Sequence, residues 1–199
     1  MDFRAVILGL TALLTGFGLR AQETQGFYRG FAGGMMIHSG YVRGTLAPIG
    51  RGLSGAPFGV GGAARVLLGD NFRIGAEGHV STLSQNGNGS YVKQGWGGLL
   101  LDGYLVLGRW MPYAGITIGG GGATTFLMNG TPAEAWAPVN NTIYHREGFF
   151  AFAPFVGCDY IVTKTVHLTL KADCLHAITG GHQSYPIGPR LYFGFLFYH

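Results

Sequence analysis

The segment GPRLYFGFLFYH, residues 188–199, ends the sequence with five aromatic residues among its last eight. Successive side chains of a β-strand point to opposite faces. As a strand, the segment carries Arg190, Tyr192 and Gly194 on one face. Large apolar side chains occupy the other face: Leu191, Phe193, Phe195 and Phe197. Because chain ends fray and apolar ends aggregate in water, the segment predicts a strand with an apolar environment on one side.

The same two-residue period recurs along the chain, and no sustained 3.6-residue period follows the N-terminal segment. FRIGAEGHVST (72–82) is the clearest case, with Ile74 and Val80 alternating with Arg73 and Glu77. The faces of the first strand cannot be assigned, because its alternation is irregular. The pattern predicts an all-β chain of eight strands: 27–40, 58–68, 72–82, 96–107, 113–126, 149–161, 165–176 and 188–198.

The connections between these strands alternate in length. Short links follow residues 68, 107 and 161, whereas the segments 41–57, 83–95, 127–148 and 177–187 are long. Outer-membrane β-barrels have short periplasmic turns and longer external loops, and their strands need about 9–11 residues to cross the bilayer. The sequence therefore predicts an eight-stranded antiparallel up-and-down transmembrane β-barrel.

Composition bears on which face of the sheet meets lipid. Charged residues make up only 11% of the chain, against about 25% in a typical soluble domain, and 37 glycines are present. The interior of an eight-stranded barrel is just wide enough for side chains to fill it, which suits charges set among glycines. Faces such as that of Leu99 and Leu101 then meet lipid. Aromatic residues near strand ends are expected to form its girdles: Phe72, Trp110, Tyr113, Tyr160 and Tyr192.

A soluble lipocalin-like cup is the alternative, with the apolar faces inside. The net charge of +4 is diffuse and no basic run occurs, so no nucleic-acid partner is expected.

Closure of the sheet follows from the same reasoning, because a sheet in lipid cannot leave an open edge. The last strand is therefore expected to pair with the first. Its ending, with Phe193, Phe195 and Phe197, resembles the C-terminal signature of small OmpA/OmpX-type outer-membrane barrels. In that family the barrel assembly machinery reads the signature, so the resemblance implies that machinery as a partner. Tyr198 and His199 follow the last in-phase Phe and depart from the pattern.

The N-terminus, MDFRAVILGLTALLTGFGLRAQ, is typical of a secretory signal. Arg4 precedes an apolar run over 5–19, and Ala21 lies where cleavage is expected, with Gln22 as the alternative. We expect residues 1–21 to be removed and 22–199 to form the barrel in the outer membrane of a Gram-negative cell. The chain is also similar to small outer-membrane barrels of Bacteroidetes-type bacteria, whose signals often end in Ala-Gln.

Charged residues on the polar faces are the first candidate site. Because an unpaired buried charge costs several kcal/mol, we expect them to neutralise one another inside the barrel. The alternative is a narrow ion or proton path in which His79 and His167 titrate near neutral pH. The seven histidines are scattered, so neither a metal site nor a cofactor is expected. The candidate lumen charges are Arg65, Arg73, Glu77, Asp102, Asp159, Lys171, Asp173 and Arg190.

Two cysteines in an exported chain suggest a disulfide. Strand register argues against it, because Cys158 and Cys174 are offset by about six residues, or about 20 Å, well beyond disulfide reach. Both are expected to be free and to face lipid.

An enzymatic alternative rests on GGHQSY (180–185). The lipid A 3-O-deacylases, which are also outer-membrane barrels, use a His-x-Ser element with an acidic partner, and His182 and Ser184 have that spacing. A serine activated by a neighbouring histidine is a competent nucleophile. No Asp or Glu follows in this chain, so we expect no enzyme, with a lipid A hydrolase as the alternative.

The predicted long loops carry cations and amphipathic rings. Arg43 and Arg51 lie in the first loop and Lys93 closes the second, where they would meet lipopolysaccharide phosphates, which arginine binds well. The expected rim anchors are Trp96, Trp136 and Tyr144. We therefore predict a monomeric barrel with a structural or surface-interaction role: envelope integrity, lipopolysaccharide contact or adhesion through its loops.

Overall fold

A computed structural model describes residues 27–46, 51–85, 90–128, 142–178 and 184–199. The expected signal at 1–21, its cleavage site and Trp136 lie outside the described residues. Within these ranges, no helix has the length and apolarity needed to cross a membrane.

The regular elements of the described chain are all β-strands. They are β1 (Tyr28–Gly40), β2 (Val42–Leu46), β3 (Arg51–Gly55), β4 (Phe58–Leu68), β5 (Phe72–Gln85), β6 (Ser90–Tyr104), β7 (Trp110–Met128), β8 (Thr142–Ile161), β9 (Val166–Ile178) and β10 (Ser184–Tyr198).

Eight of these strands form one closed antiparallel barrel, in the order β1, β4, β5, β6, β7, β8, β9, β10 and back to β1. The closing seam runs from Ala32 opposite Tyr198 to Gly40 opposite Arg190. Phe31 and His199 extend it by exchanging two backbone hydrogen bonds of 2.9 and 2.8 Å. No edge of the barrel is left open, as a lipid environment requires. The predicted eight-stranded barrel, closed by its last strand on its first, is confirmed.

Short turns join neighbouring strands at one end of the barrel, at residues 69–71, 105–109 and 162–165. Gly69 and Gly108 have φ angles of 58° and 65° in two of these turns, a left-handed conformation that glycine adopts without steric cost. The first and last described residues, Phe27 and His199, lie at the same end. We call it the short-turn end and the opposite one the long-loop end.

The strands run further toward the long-loop end than the sequence predicts. β5 continues to Gln85 and β6 begins at Ser90, so most of the predicted loop 83–95 is strand. β2 and β3 lie inside the predicted loop 41–57 and form a hairpin that continues the register of β1 with β4. The sequence misses these extensions because hydrophobic alternation fades there, while backbone pairing does not need it.

The outer face of the barrel is apolar and the inner face is polar, aromatic or small. Leu99 is 70% exposed, whereas Arg65, two strands away, is fully buried. On the closing strand, Phe193, Phe195 and Phe197 all point outward. The sidedness is the one expected for lipid outside, and the reverse of a lipocalin-like cup. The sequence leaves the faces of β1 unassigned. In the structure Met36 and His38 point inward, and Met35 and Ile37 point outward.

Both cysteines are free and half-buried. Cys158 lies opposite Leu170 on β9, and Cys174 lies opposite Pro189 on β10. Their neighbours Asp159 and Asp173 point into the barrel, so the alternation turns both thiols outward. The prediction of free cysteines is confirmed.

Close approach of two strands explains one of the interior glycines. Gly121 on β7 lies opposite Trp96 on β6, whose side chain is buried. A Cβ added to Gly121 would collide with the backbone carbonyl oxygen of Gly95 and would lie 2.6 Å from the Cβ of Trp96, closer than such atoms can pack. The absent side chain therefore lets β7 approach the backbone of β6 closely at Gly95 and Trp96.

We predict that Gly121→Ala destabilises the barrel by about 1–3 kcal/mol, the usual cost of overpacking an interior. The measurement is the temperature at which the unboiled protein loses its folded mobility on an SDS gel. Gly95→Ala is the matched control, because its Cβ would meet only Val80 at 3.8 Å. Equal transition temperatures for the two variants would contradict the packing argument.

Candidate functional site

The alternation of the barrel strands brings all eight candidate charged residues into the lumen. Six different strands supply them, and their relative exposures are 5% or less. They separate into two groups along the barrel axis. The turn-side cluster consists of Arg65, Arg73, Asp102 and Asp159, and the loop-side cluster consists of Glu77, Lys171, Asp173 and Arg190.

Arg73 is the centre of the turn-side cluster. Its Nε donates to Asp102 Oδ1 at 2.6 Å, and its Nη1 donates to Asp159 Oδ2 at 3.0 Å. The Tyr198 hydroxyl accepts from Nη1 of Arg73 at 2.7 Å and donates to Asp159 at 2.9 Å. Arg65 contributes a longer ion pair of 3.6 Å to Asp102. The cluster thus ties β4, β5, β6, β8 and β10 together across the lumen.

One ion pair of the loop-side cluster joins β5 to β9. The ammonium of Lys171 donates to both oxygens of Glu77, at 2.7 and 2.6 Å. The hydroxyl of Thr117 on β7 donates to Oε1 of the same carboxylate at 2.6 Å. Glu77 therefore has three hydrogen bonds in the middle of the barrel, which replace the water it loses there.

The second loop-side pair joins the neighbouring strands β9 and β10. Arg190 donates from Nε and Nη2 to the two oxygens of Asp173, each at 3.0 Å. This bidentate geometry is the strong form of the arginine–carboxylate bond. Tyr192 adds a hydroxyl donor to Asp173 at 2.8 Å.

Each cluster has two cations and two carboxylates, so the buried charge of the described lumen groups cancels within each cluster. The charged side chains are 0–1% exposed. Groups lining a water-filled path would be accessible to solvent. The charged layers instead occupy the lumen, and these groups are out of contact with solvent.

Aromatic rings fill the space between the ions. The guanidinium carbon of Arg73 lies 4.7 Å from the centre of the Tyr113 ring, and the ammonium of Lys171 lies 4.5 Å from that of Phe155. Cations above aromatic faces gain electrostatic stabilisation that increases when the pair is desolvated. The rings therefore exclude water and also favour the charges that they surround.

Three rings that the sequence places at the membrane rims lie inside the barrel. Tyr113 and Tyr192 are not girdle residues, and Trp96 is not a rim anchor, since their exposures are 4%, 0% and 5%. Trp96 covers the guanidinium of Arg190 at 4.7 Å. Position near a strand end does not decide the direction of a ring, whereas parity with the charged residues does: Tyr192 follows Arg190 by two residues on one face.

The two predicted lumen histidines lie in different layers. His79 is next to Glu77, with 3.4 Å between Nε2 and Oε2, while His167 stacks on Tyr198 at 3.9 Å between ring centres. The sequence missed His38, which lies 5.4 Å from His79 between ring centres. It could not be identified because the faces of β1 were unassigned, and the pairing of β1 with β4 and β10 is what fixes them.

An apolar layer lies above the loop-side cluster. It consists of Val42, Leu53, Leu83 and Val92, all at most 5% exposed. The β2–β3 hairpin supplies two of these side chains, while β5 and β6 supply the others. The hairpin that the sequence treats as loop therefore adds to the packing of the lumen at the long-loop end.

The three rim cations do not come together. Arg43 is exposed on β2, which pairs with β10, while Lys93 is exposed on β6, three strands away around the barrel. Lys93 does not close a loop: it lies within β6, opposite Thr82 and Thr124. Arg51 belongs to β3, opposite Leu46, and its side chain is outside the described part. Tyr144, a predicted rim anchor, is 66% exposed.

Tyr41 connects β1 to β2 beside Arg43 at the long-loop end. Arg43 and Ser54 hydrogen-bond to its hydroxyl. No salt bridge joins Arg43 to a carboxylate of the described chain.

The His-x-Ser element is only partly described. His182 lies outside the described residues, and Ser184 is the first residue of β10, opposite Thr45. Among the described side chains, no three His, Cys, Asp or Glu residues come together as metal ligands would.

We predict that Lys171→Met, which leaves Glu77 charged and unpaired, destabilises the barrel by about 3–5 kcal/mol. Urea unfolding in lipid vesicles measures the change. Arg29→Ala is the control, because it breaks the exposed Arg29–Asp70 pair, and exposed pairs contribute about 0–1 kcal/mol.

The double variant Glu77→Gln/Lys171→Met completes the test. It should recover part of the stability lost by Lys171→Met, because neither partner is then charged. A double variant as unstable as the sum of the two single ones would contradict the pairing.

Among solved structures, the fold is similar to two crystallised proteins. For Neisserial surface protein A the TM-score is 0.63 at 13% identity, covering 85% of this chain and 97% of that one. For Ail, the attachment invasion locus protein of Yersinia pestis, crystallised with the heparin analogue sucrose octasulfate, the TM-score is 0.53 at 8% identity, covering 86% and 99%.

No protein-family model matches the sequence, and a search of curated proteins gave no match. The similarity to Bacteroidetes-type barrels therefore stays a prediction. At identities this low the structural likeness concerns the fold alone. That fold is the closed eight-stranded antiparallel β-barrel of outer-membrane proteins.

Proposed function

We propose that the protein is a monomeric outer-membrane barrel with a sealed lumen, which acts through its outer surface in envelope integrity and lipopolysaccharide contact. The observation that carries this proposal is the balanced, solvent-inaccessible charge of the lumen. Because packed side chains fill the interior of this barrel, a partner can contact only its rims, its loops and its outer wall.

The outer wall supports a membrane location. Its exposed side chains include Leu99, Ile74 and Phe193. Such apolar surface is unfavourable in water, because its transfer from water to an apolar environment lowers the free energy. In the proposed orientation the short turns face the periplasm and the long-loop end faces outward, as in other barrels of this class. The outward-facing Phe193, Phe195 and Phe197 are the proposed signal to the assembly machinery.

Exposed cations at the long-loop end support lipopolysaccharide as the partner. Arg43 and Lys93 are exposed there, and Arg51 follows in the same hairpin as Arg43. Guanidinium groups bind phosphate in a bidentate manner. Ail, of similar fold, was crystallised with a polysulfated ligand, so this fold can carry a polyanion.

We predict that the purified protein forms no ion-conducting steps in planar lipid bilayers, because its lumen charges are paired and inaccessible to solvent. A water-filled porin inserted in the same bilayers is the positive control. Discrete openings that disappear on boiling the sample, and that change in size in Lys171→Met, would contradict the sealed lumen and support the channel alternative.

We also predict that the variant Arg43→Gln/Arg51→Gln/Lys93→Gln co-purifies with several-fold less lipopolysaccharide than the native chain, because three phosphate-binding cations are removed. Lipid A phosphate per mole of protein is the quantity to measure. Arg29→Gln at the short-turn end is the matched control, since it removes an exposed cation from the other rim. Unchanged retention in the triple variant would reject lipopolysaccharide contact through these residues.

A further inference from the structure

An apolar groove runs along the outer wall of the barrel at its closing seam. Its volume is about 430 Å³. Phe58 of β4 stands on one side and Leu191 and Phe193 of β10 on the other, with Ile37 and Ser39 of β1 between them. The Ser39 hydroxyl is satisfied, because it donates to the Pro57 carbonyl at 2.8 Å. The exposed walls of the groove therefore offer a ligand apolar contacts. The hydroxyl of Ser39 is already used and is not free to bind it.

A polar recess lies directly above this groove on the same strands. It is lined by Arg43 and Thr45 of β2, Ser54 of β3 and Ile187 of β10. Ile37, Ser39, Tyr41, Arg43 and Thr45 follow one another on a single outward face, because β2 continues the register of β1. The seam thus changes from apolar to aromatic to cationic in the direction of the long-loop end.

The spacing of these features matches one leaflet of a bilayer. At about 3.3 Å per residue, Arg43 lies about 13 Å from Ser39 and about 20 Å from Ile37 along the strand. With strands tilted by about 45°, these distances correspond to differences in depth of about 9 and about 14 Å. Half of a hydrocarbon core of about 30 Å is about 15 Å. When the groove lies among lipid tails, the guanidinium is at the level of the headgroups.

Charge and hydrogen-bonding groups identify the occupant. Arg43 has no carboxylate partner in the described chain, so a phosphate complements it. The hydroxyl of Thr45 beside it suits a sugar, and the groove below suits an acyl chain. A phosphorylated, acylated sugar combines all three, and in the proposed orientation the seam faces the leaflet that contains it.

We propose that the β1–β4–β10 seam is a binding site for one lipid A molecule, with an acyl chain in the apolar groove and a phosphate on Arg43. The site rests on the proposed lipopolysaccharide contact and narrows it to a single place. Lys93 on β6 lies around the barrel from this seam, so it takes no part in the site.

Native mass spectrometry of the delipidated full chain, titrated with purified lipid A, tests the site. Arg43→Gln removes the phosphate contact, and Ile37→Trp fills the groove with another apolar side chain that lipid tolerates. Each change should raise the dissociation constant of the single bound lipid A at least tenfold. Two matched controls should stay within twofold of the native chain: Lys93→Gln, a rim cation away from the seam, and Val80→Trp, an outward residue on β5 that shares the register of Ile37 two strands away.

Two further ligands define the chemistry. Dephosphorylated lipid A should bind the native chain as weakly as lipid A binds Arg43→Gln. Phosphatidylglycerol should bind at least tenfold more weakly than lipid A, and equal binding would overturn lipid A as the occupant. Native affinity in either Arg43→Gln or Ile37→Trp would overturn the site.

The failure of the site can be told apart from that of the proposed function. If the triple cation variant loses lipopolysaccharide while Arg43→Gln and Ile37→Trp bind lipid A normally, surface contact stands and this seam is not its location. If the native chain binds no lipid A and the triple variant retains as much lipopolysaccharide as the native chain, both proposals fail.

Discussion

Charge compensation inside a narrow barrel is the constraint on which the rest of the structure depends. Four cations and four carboxylates lie where water cannot hydrate them, and a buried ion without a partner costs several kcal/mol. Pairing requires that Arg73 reach Asp159 across the lumen and that Lys171 reach Glu77. Long polar side chains can span the interior only if their neighbours are small or flat, so the demand for glycine and for aromatic rings follows from the ions.

Glycine and aromatic residues satisfy that demand in complementary ways. Gly121 lets β7 approach Trp96 closely, and Trp96 in turn covers Arg190. Gly157 lies under the ring of Tyr113, and that ring faces Arg73. Small residues, rings and ions therefore form one packed unit. The interior therefore stabilises the fold, and the proposed contacts with a partner belong to the outer wall and the long-loop end.

Much of this arrangement could be predicted from the sequence, because alternation carries the information. Once Phe193 is set outward, Arg190 and Tyr192 must point inward, and the same parity rule fixes Lys171 and Asp173. The predictions for Tyr113, Tyr192 and Trp96 were wrong because they rest on position near a strand end and not on this parity rule.

Other features could not be derived from the sequence in this way. His38 required the register of β1, which only its two neighbours define. The extent of β2 and β3 was hidden because backbone hydrogen bonds hold a strand together where hydrophobic alternation has stopped. The seam groove joins residues from β1, β4 and β10, so it exists only after the sheet has closed.

The closing strand also completes both charged clusters of the lumen. Tyr198 binds Arg73 of the turn-side cluster, although the two residues are 125 positions apart in the chain. Arg190 and Tyr192 donate hydrogen bonds to the carboxylate of Asp173. Of the lumen ion pairs in the described chain, the one between Arg190 and Asp173 needs β10, whereas the pairs made by Arg73 and Lys171 lie on other strands. Charge compensation and sheet closure therefore both depend on β10: without it the sheet has open edges on β1 and β9, and the buried carboxylate of Asp173 lacks its arginine.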